Sequence, residues 1–204
     1  MSHEFQVDYD ELLGEGAYAQ VWSALRTCPK IHDSFEYVAK VTTFGDQGEW
    51  PKSVPPPVSF FSTYIEAYHD REFQVLLKLQ DTGAVPLVFS EWKAGEDGFL
   101  ILERLNPNPV GEFGESHARI ARENLRMIHL RGFAHCDLHS DNIMFKPGTD
   151  ELVFIDFQCS LRQGDDPGLL EFAQHQDIID LEKILRDLLP THKRLRTHKR
   201  LRTH

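Results

Sequence analysis

The sequence predicts an α+β fold of two lobes, with a β-rich first part over residues 1–105 and a reduced, mostly helical second part over residues 106–190. Short runs of aromatic and β-branched residues fill the first part, with one long stretch of helical periodicity among them. Amphipathic helical patterns dominate the second part. The two parts meet at LNPNPVG (105–111), whose Pro and Gly residues are typical of a boundary between lobes.

Strand patterns open the chain. FQVDYDELLG and AYAQVWSAL predict two strands around a turn within residues 5–25, and FEYVAKVTTF (35–44) predicts a third. Apolar residues then recur at helical spacing over residues 62–79, which indicates a long helix. Two further strands joined by a Gly-containing turn are predicted over residues 84–105.

The second part contains two helical patterns with a short strand between them. SHARIARENLRMIHLRG (116–132) predicts an amphipathic helix for which Gly132 is a suitable C-terminal cap. ELVFIDF predicts a buried strand. One or two helices are predicted over residues 171–189, ended by Pro190.

Charge is distributed unevenly along the chain. Of the 22 Lys and Arg residues, six lie in residues 191–204, so residues 1–190 carry 16 basic and 32 acidic side chains, a balance of −16. We therefore do not expect the body to bind nucleic acid, and we expect basic partners to suit it better. Residues 191–204 repeat THKRLR and are predicted to be a disordered tail, with a nucleic-acid-binding or nuclear-targeting arm as the alternative.

Cysteine content and hydropathy bear on location. Cys28, Cys136 and Cys159 are odd in number and far apart in sequence, which fits neither a disulfide framework nor a zinc site. No run of about 18 apolar residues predicts a membrane span, and the acidic N-terminal residues do not resemble a secretory signal. We therefore expect an intracellular protein, cytoplasmic or nuclear, with no membrane partner.

Three polar side chains flank predicted strands in the second part. AHCDLHSDNIMF places Asp137 and Asn142 five positions apart, and FIDFQ follows with Asp156. Carboxylate and amide oxygens are the ligands that Mg²⁺ prefers. The pattern predicts a magnesium site at Asn142 and Asp156, both facing a solvent-accessible cleft, and Asp137 is suited to accept a proton from a hydroxyl. The neighbouring His135 and Cys136 are predicted to be structural.

The first part contains two weaker signals. Gly14 and Gly16 lie at a predicted strand–turn–strand, where small residues let backbone N–H groups approach phosphate oxygens. Lys40 lies among apolar residues of a predicted strand and would need a carboxylate partner if buried. Glu72 and Glu66, both on the predicted long helix, are the candidates.

The order of these elements resembles the protein-kinase-like superfamily from Leu12 to Leu189. A Gly-rich hairpin, a VAK strand, a helical Glu, an apolar strand ending in Glu, an H-x-D-x-x-x-x-N loop and an apolar-Asp-Phe strand follow one another in that sequence. The resemblance implies binding of ATP and Mg²⁺ and transfer of a phosphoryl group.

Individual roles follow from the resemblance. It implies Asp137 as the catalytic base, Lys40 as the contact to the α- and β-phosphates, and Glu72 rather than Glu66 as the partner of Lys40. It implies Asn142 and Asp156 as metal ligands. Asp177 resembles the helix aspartate that braces the catalytic loop. The implied nucleotide-binding residues are Gly14, Glu15, Gly16, Ala17, Val21, Ala39, Lys40, Leu102, Glu103, Leu105 and Met144.

Departures from the usual pattern indicate a short, atypical member. Cys136 stands where protein kinases usually have an arginine that pairs with a phosphorylated loop, which predicts activity independent of such phosphorylation. Gln158 replaces the glycine that usually follows Asp-Phe, and no Ala-Pro-Glu appears. Little that could fold follows Leu189, and in its shortness the chain resembles Bud-thirty-two and RIO-type atypical kinases, or a truncated relative of the haspin type.

Three functions remain open on the sequence. The first is a compact atypical Ser/Thr protein kinase acting on a protein substrate, with a basic substrate favoured by the acidic body. The second is a small-molecule phosphotransferase of the aminoglycoside or choline type, which the loop around Asp137 fits nearly as well. The third is a pseudokinase that binds a nucleotide or a partner without transfer.

Overall fold

The computed structural model describes residues 4–16, 19–27, 36–43 and 62–189, without the side chains of residues 62–66 and Pro167. Four subjects of the sequence analysis, Ala17, Cys28, Pro190 and the tail over residues 191–204, lie outside this part of the chain, as does the side chain of Glu66.

The β-rich lobe is built on a five-stranded antiparallel sheet with the order β1-β2-β3-β5-β4. Its β-branched and aromatic residues suit a half-buried pleated surface. The strands are β1 (Phe5–Glu15), β2 (Ala19–Arg26), β3 (Tyr37–Thr43), β4 (Val88–Ala94) and β5 (Asp97–Glu103).

Strand β3 is buried on both faces of the sheet, because its side chains alternate between two apolar layers. Tyr37, Ala39 and Val41 belong to an outer layer together with Phe99 and Ile101 of β5. Val38 lies in the main core instead, and Lys40 shares its side of the strand. Whether a residue of β3 can reach a site between the lobes therefore depends on the face of the strand that carries its side chain.

Helix α1 (Ser62–Leu79) packs on the face of the sheet that carries Val38. Val75, Leu76 and Leu79 form its buried stripe at helical spacing and join the main core. The bounds agree with the predicted helix over residues 62–79.

The helical lobe contains α2 (Glu115–Leu130) and α3 (Pro167–Leu188). Gly132 follows α2 with φ +78°, and a Cβ there would lie 2.9 Å from the Cβ of Gln163, so this position requires glycine. No helix among the described residues is long and apolar enough to cross a membrane.

Helix α3 is one continuous helix and begins earlier than residue 171, where we expected a start. The side chain of Asp166 accepts hydrogen bonds from the backbone N–H groups of Gly168 and Leu169, and Pro167 occupies the first turn. An Asp cap followed by Pro is a strong helix start, so the local sequence contained this signal.

Two small antiparallel pairs lie between α2 and α3. They are β6 (Phe133–Ala134) with β9 (Leu161–Arg162), and β7 (Ile143–Phe145) with β8 (Leu152–Phe154). One residue beyond the β7–β8 ladder, the N–H of Ile155 donates to the carbonyl of Asn142 at 3.1 Å. This pairing brings Asn142 and Asp156 to the same end of the ladder.

Candidate active site

A buried ammonium group lies at the junction of the two lobes. The Nζ atom of Lys40 on β3 is 2.7 Å from Oε2 of Glu72 on α1 and 3.0 Å from Oδ1 of Asp156. Lys40 is 9% exposed and Glu72 is 2% exposed. The expected pairing of Lys40 with Glu72 is therefore present, and Asp156 makes it a triad.

Electrostatics explain why the lysine stays charged. Burial works to lower the pKa of Lys40, but the carboxylates of Glu72 and Asp156 outweigh it and hold that pKa above its ordinary value. Burial raises the pKa of Glu72, opposed by the ammonium of Lys40 and by the backbone N–H of Phe157. These carboxylates hold the ammonium of Lys40 at a fixed position between the lobes.

The loop that carries Asp137 is held by Asn142. The Nδ2 group of Asn142 donates to the backbone carbonyl of Asp137 at 2.8 Å. Asp137 itself is half-exposed. Asn142 is only 4% exposed, which corrects our expectation that both metal-ligand candidates face solvent. Its amide nitrogen is hydrogen-bonded within the loop, so the burial of Asn142 agrees with a role in holding the loop.

The side-chain oxygens of Asp156 and Asn142 are suitable ligands for a magnesium ion. The carboxylate of Asp156 is partly exposed, and among the described residues the amide oxygen of Asn142 receives no hydrogen bond. Asp156 has φ +65°, a strained conformation for a residue other than glycine, which persists only where the surroundings enforce it. A carboxylate and an amide oxygen at the same end of one ladder are suitable hard ligands.

A buried aspartate fixes the start of the same loop. Asp177 on α3 accepts hydrogen bonds from the backbone N–H groups of His135 at 2.7 Å and Cys136 at 2.9 Å. The Nε2 atom of His129 lies 3.0 Å from the same carboxylate. The bracing that the resemblance implied for Asp177 is thus seen directly in these bonds.

His135 is a packed imidazole, as expected. It is fully buried, its Nε2 lies 2.8 Å from the carbonyl of Ile155, and its ring lies 4.6 Å from the ring of Phe157. Burial lowers its pKa, so the neutral form is favoured. His135 therefore joins the Asp137 loop to the segment that carries Asp156.

The two cysteines near the site are free thiols. Burial raises the pKa of Cys136 to about 11. Burial also raises the pKa of Cys159, and the carboxylates of Asp137 and Asp156 add to that rise. Because these thiols are rarely ionised, they are poor nucleophiles. This agrees with the predicted structural role of Cys136.

The upper wall of the cleft differs from our expectation at one position. Ala39 was named as a nucleotide-binding residue, but it is fully buried in the outer layer, on the face of β3 opposite to Lys40. Val38 shares the face of Lys40 and packs with Val21 and Leu102. Alternation along the strand, visible in the sequence, would have selected Val38.

The segment after β5 offers backbone groups to a ligand. Leu102 lies in the core between the lobes, and the N–H of Glu103 donates to the carbonyl of Leu87. Within the described part of the chain, the backbone N–H and carbonyl of Leu105 have no partner. Met144, on β7, is partly buried. The side chain of Glu103 is buried, and burial raises its pKa.

The Gly-rich turn joins β1 and β2. Gly14 pairs with Val21, and the N–H of Gly16 donates to the carbonyl of Ala19 at 2.8 Å. The Oε1 atom of Glu15 accepts from Gln20 across the turn. A Cβ at Gly14 would meet no atom within 4 Å, so packing alone does not require glycine at that position.

Comparisons with known proteins agree with this architecture. No family model matches the sequence. The chain is 29% identical over 139 residues to the MAP kinase-interacting serine/threonine-protein kinase mnk-1 of Caenorhabditis elegans, a match that covers 66% of this chain and 18% of that protein. The crystal structure of the PF14_0431 kinase domain superposes with a TM-score of 0.68 at 15% identity, covering 96% of this chain and 67% of that domain.

The chain has a protein-kinase-like fold. This confirms the predicted two-lobed α+β class, with an antiparallel sheet in one lobe and helices in the other. The chain spans less than a fifth of the length of mnk-1.

Proposed function

We propose that the chain is a compact atypical Ser/Thr protein kinase that transfers the γ-phosphate of ATP to a protein hydroxyl with Mg²⁺. The observation that carries the proposal is the triad of Lys40, Glu72 and Asp156, which joins both lobes next to the Asp137 loop. Phosphoryl transfer depends mainly on positioning and on charge neutralisation, and this arrangement is suited to both.

Each residue of the site has its own role in phosphoryl transfer, which depends on its position. Lys40, held by Glu72, presents its ammonium to phosphate oxygens. Asp156 and Asn142 would hold Mg²⁺, which when bound neutralises phosphate charge and orients the nucleotide. Asp137 accepts the proton of the attacking hydroxyl from its open side of the loop. We expect Val38 and Leu102, which lie opposite each other on β3 and β5, to contact a nucleobase, and the Leu105 backbone offers it a donor and an acceptor.

A basic protein is the substrate class that we favour. Residues 1–190 carry a balance of −16, which attracts cationic partners. The resemblance to mnk-1, a protein kinase by name, favours a protein over a small molecule as acceptor. The segment between Asp156 and α3 is short.

The experiment is phosphate transfer from labelled ATP with Mg²⁺ to histone, casein and a panel of small aminoalcohols in parallel. We expect labelling of histone above casein, with the rate reduced about 10²- to 10⁴-fold by Asp137→Asn. Asp150→Asn, which changes an exposed carboxylate beside His117, serves as the matched control and should leave the rate unchanged.

Other outcomes would overturn the proposal in distinct ways. Labelling of aminoalcohols alone would make the chain a small-molecule phosphotransferase. Nucleotide binding without labelling of any acceptor would make it a pseudokinase.

A further inference from the structure

Arg71, next to Glu72 on α1, also reaches out of the helix to the other lobe. Its Nη1 group donates to the backbone carbonyl of Ser160 at 2.7 Å and lies 3.7 Å from Oδ2 of Asp165. Its side chain is about one-third exposed, so these contacts lie at the rim of the lobe junction. Two consecutive residues of α1 thus contact the segment that follows Asp156.

The carbonyl that Arg71 binds has a fixed position. The N–H and Oγ of Ser160 both bond the carbonyl of Phe157, at 3.1 Å and 2.7 Å, which closes a tight turn. Ser160 is 1% exposed, and Phe157 is fully buried in the main core. The backbone N–H of Phe157 in turn favours the charged form of Glu72 and lowers its pKa. A guanidinium bonded to this carbonyl therefore docks α1 on a rigid turn four residues from Asp156.

Asp165 places a carboxylate opposite Arg71. Its Oδ2 accepts from the N–H of Arg162 at 3.0 Å, and its own N–H donates to the carbonyl of Arg162. This closed turn holds the carboxylate in place. The contact with Arg71 at 3.7 Å is longer than a hydrogen bond, so we assign it an electrostatic role and assign the directional bond to Ser160.

We propose that Arg71 is a positioning residue that keeps α1 docked on the turn over residues 157–160, and that Asp165 biases this docked state without added phosphate. The proposal rests on the proposed phosphotransferase function, because docked α1 is what holds Glu72 against Lys40. When Arg71 releases the carbonyl of Ser160, α1 is no longer docked on the turn over residues 157–160. Lys40 then spends less time between the carboxylates of Glu72 and Asp156. Arg71 touches no reacting atom and acts only through Glu72 and Lys40.

The experiment compares four variants with the wild type. Arg71→Met removes the donors and the charge, Arg71→Lys restores a charged donor, and Asp165→Asn removes only the carboxylate charge. Arg122→Met is the matched control, since Arg122 on α2 is also paired with a carboxylate on another helix, Glu182 of α3. Hydrogen–deuterium exchange of the amides in residues 68–79 and 157–162 is measured without nucleotide, and transfer to histone is measured separately before and after phosphatase treatment.

We expect Arg71→Met to speed exchange in both segments and to lower the transfer rate about tenfold or more, since a charged group loses its bond to a buried carbonyl. Arg71→Lys should recover most of both losses, and Asp165→Asn should cause a smaller loss. Phosphatase treatment should change nothing, and Arg122→Met should match the wild type.

Two results would overturn the inference. The first is unchanged exchange in Arg71→Met, and the second is faster exchange without any loss of transfer, which would make Arg71 merely structural. If the wild type transferred no phosphate while Arg71→Met still exchanged faster, the docking would stand and the proposed function would fail.

Discussion

Lys40 on β3 and Asp156 after β8 meet at 3.0 Å although 116 residues separate them in sequence. Each belongs to a different lobe, and Glu72 completes the contact from α1 at 2.7 Å from the same ammonium. The relative placement of the lobes is therefore coupled to one charged group. This coupling makes the site sensitive to changes at residues that are far from any substrate.

Asp177 should be the most important acidic residue for stability in the helical lobe. Asp177→Ala would leave the buried N–H groups of His135 and Cys136 without acceptors, and we expect it to lower the free energy of unfolding by about 3 kcal/mol. Asp177→Asn retains one acceptor oxygen and should cost less. Urea denaturation measures both, with the exposed Asp187→Ala as the control at under about 0.5 kcal/mol. A loss as small as that of the control would contradict the bracing role.

The thiols should react slowly at neutral pH. With a pKa of about 11 for Cys136, roughly one thiol in a thousand is ionised at pH 8, and only the thiolate is nucleophilic. Alkylation by iodoacetamide should accelerate about tenfold per pH unit between pH 8 and pH 10. Peptide mass spectrometry distinguishes Cys136 from Cys159, which should behave in the same direction. Labelling at pH 8 as fast as in the denatured chain would show that burial does not control these thiols.

The two candidate metal ligands should separate in their effects on stability. Asn142→Ala removes the buried bond to the Asp137 carbonyl and should lower the free energy of unfolding by about 1–2 kcal/mol besides abolishing transfer. Asp156→Asn keeps a small polar side chain, which tolerates the positive φ, and should abolish transfer at a cost under about 1 kcal/mol. Thermal denaturation and transfer assays measure the two effects, with the exposed Asp141→Ala as the control for stability. Equal destabilisation by the two changes would contradict the structural role given to Asn142.

Local patterns in the sequence predicted the elements well, but not every side chain that lines the cleft. The β-branched runs predicted the strands, the helical period gave α1 its bounds, and the family resemblance implied Glu72 rather than Glu66 as the partner of Lys40. The place of Ala39 in the VAK motif implied a nucleotide contact, although period-two alternation puts Val38 on the face of Lys40. Helix α3 begins earlier than predicted because the Asp166 cap and Pro167, and not the apolar spacing, set its first residue.

Long-range contacts were beyond any local pattern. Arg71 and Ser160 are 89 residues apart. The sequence pattern of the helix does not show that an arginine at this position binds a backbone carbonyl. The burial of Asn142 likewise depends on its bond to the Asp137 carbonyl, which follows from how the loop closes. Such contacts are decided by the packing of the two lobes.

The measurement that tests the account most directly is the rate of phosphate transfer from labelled ATP by Lys40→Met, Glu72→Gln and Glu66→Gln. Lys40→Met should remove most of the rate at little cost in stability, because Met fills a similar volume and needs no partner. Glu72→Gln should lower the rate less, since Gln can still hydrogen-bond the ammonium, and Glu66→Gln should be near neutral. If all three variants transferred phosphate at the wild-type rate, the triad of Lys40, Glu72 and Asp156 would not be the nucleotide site.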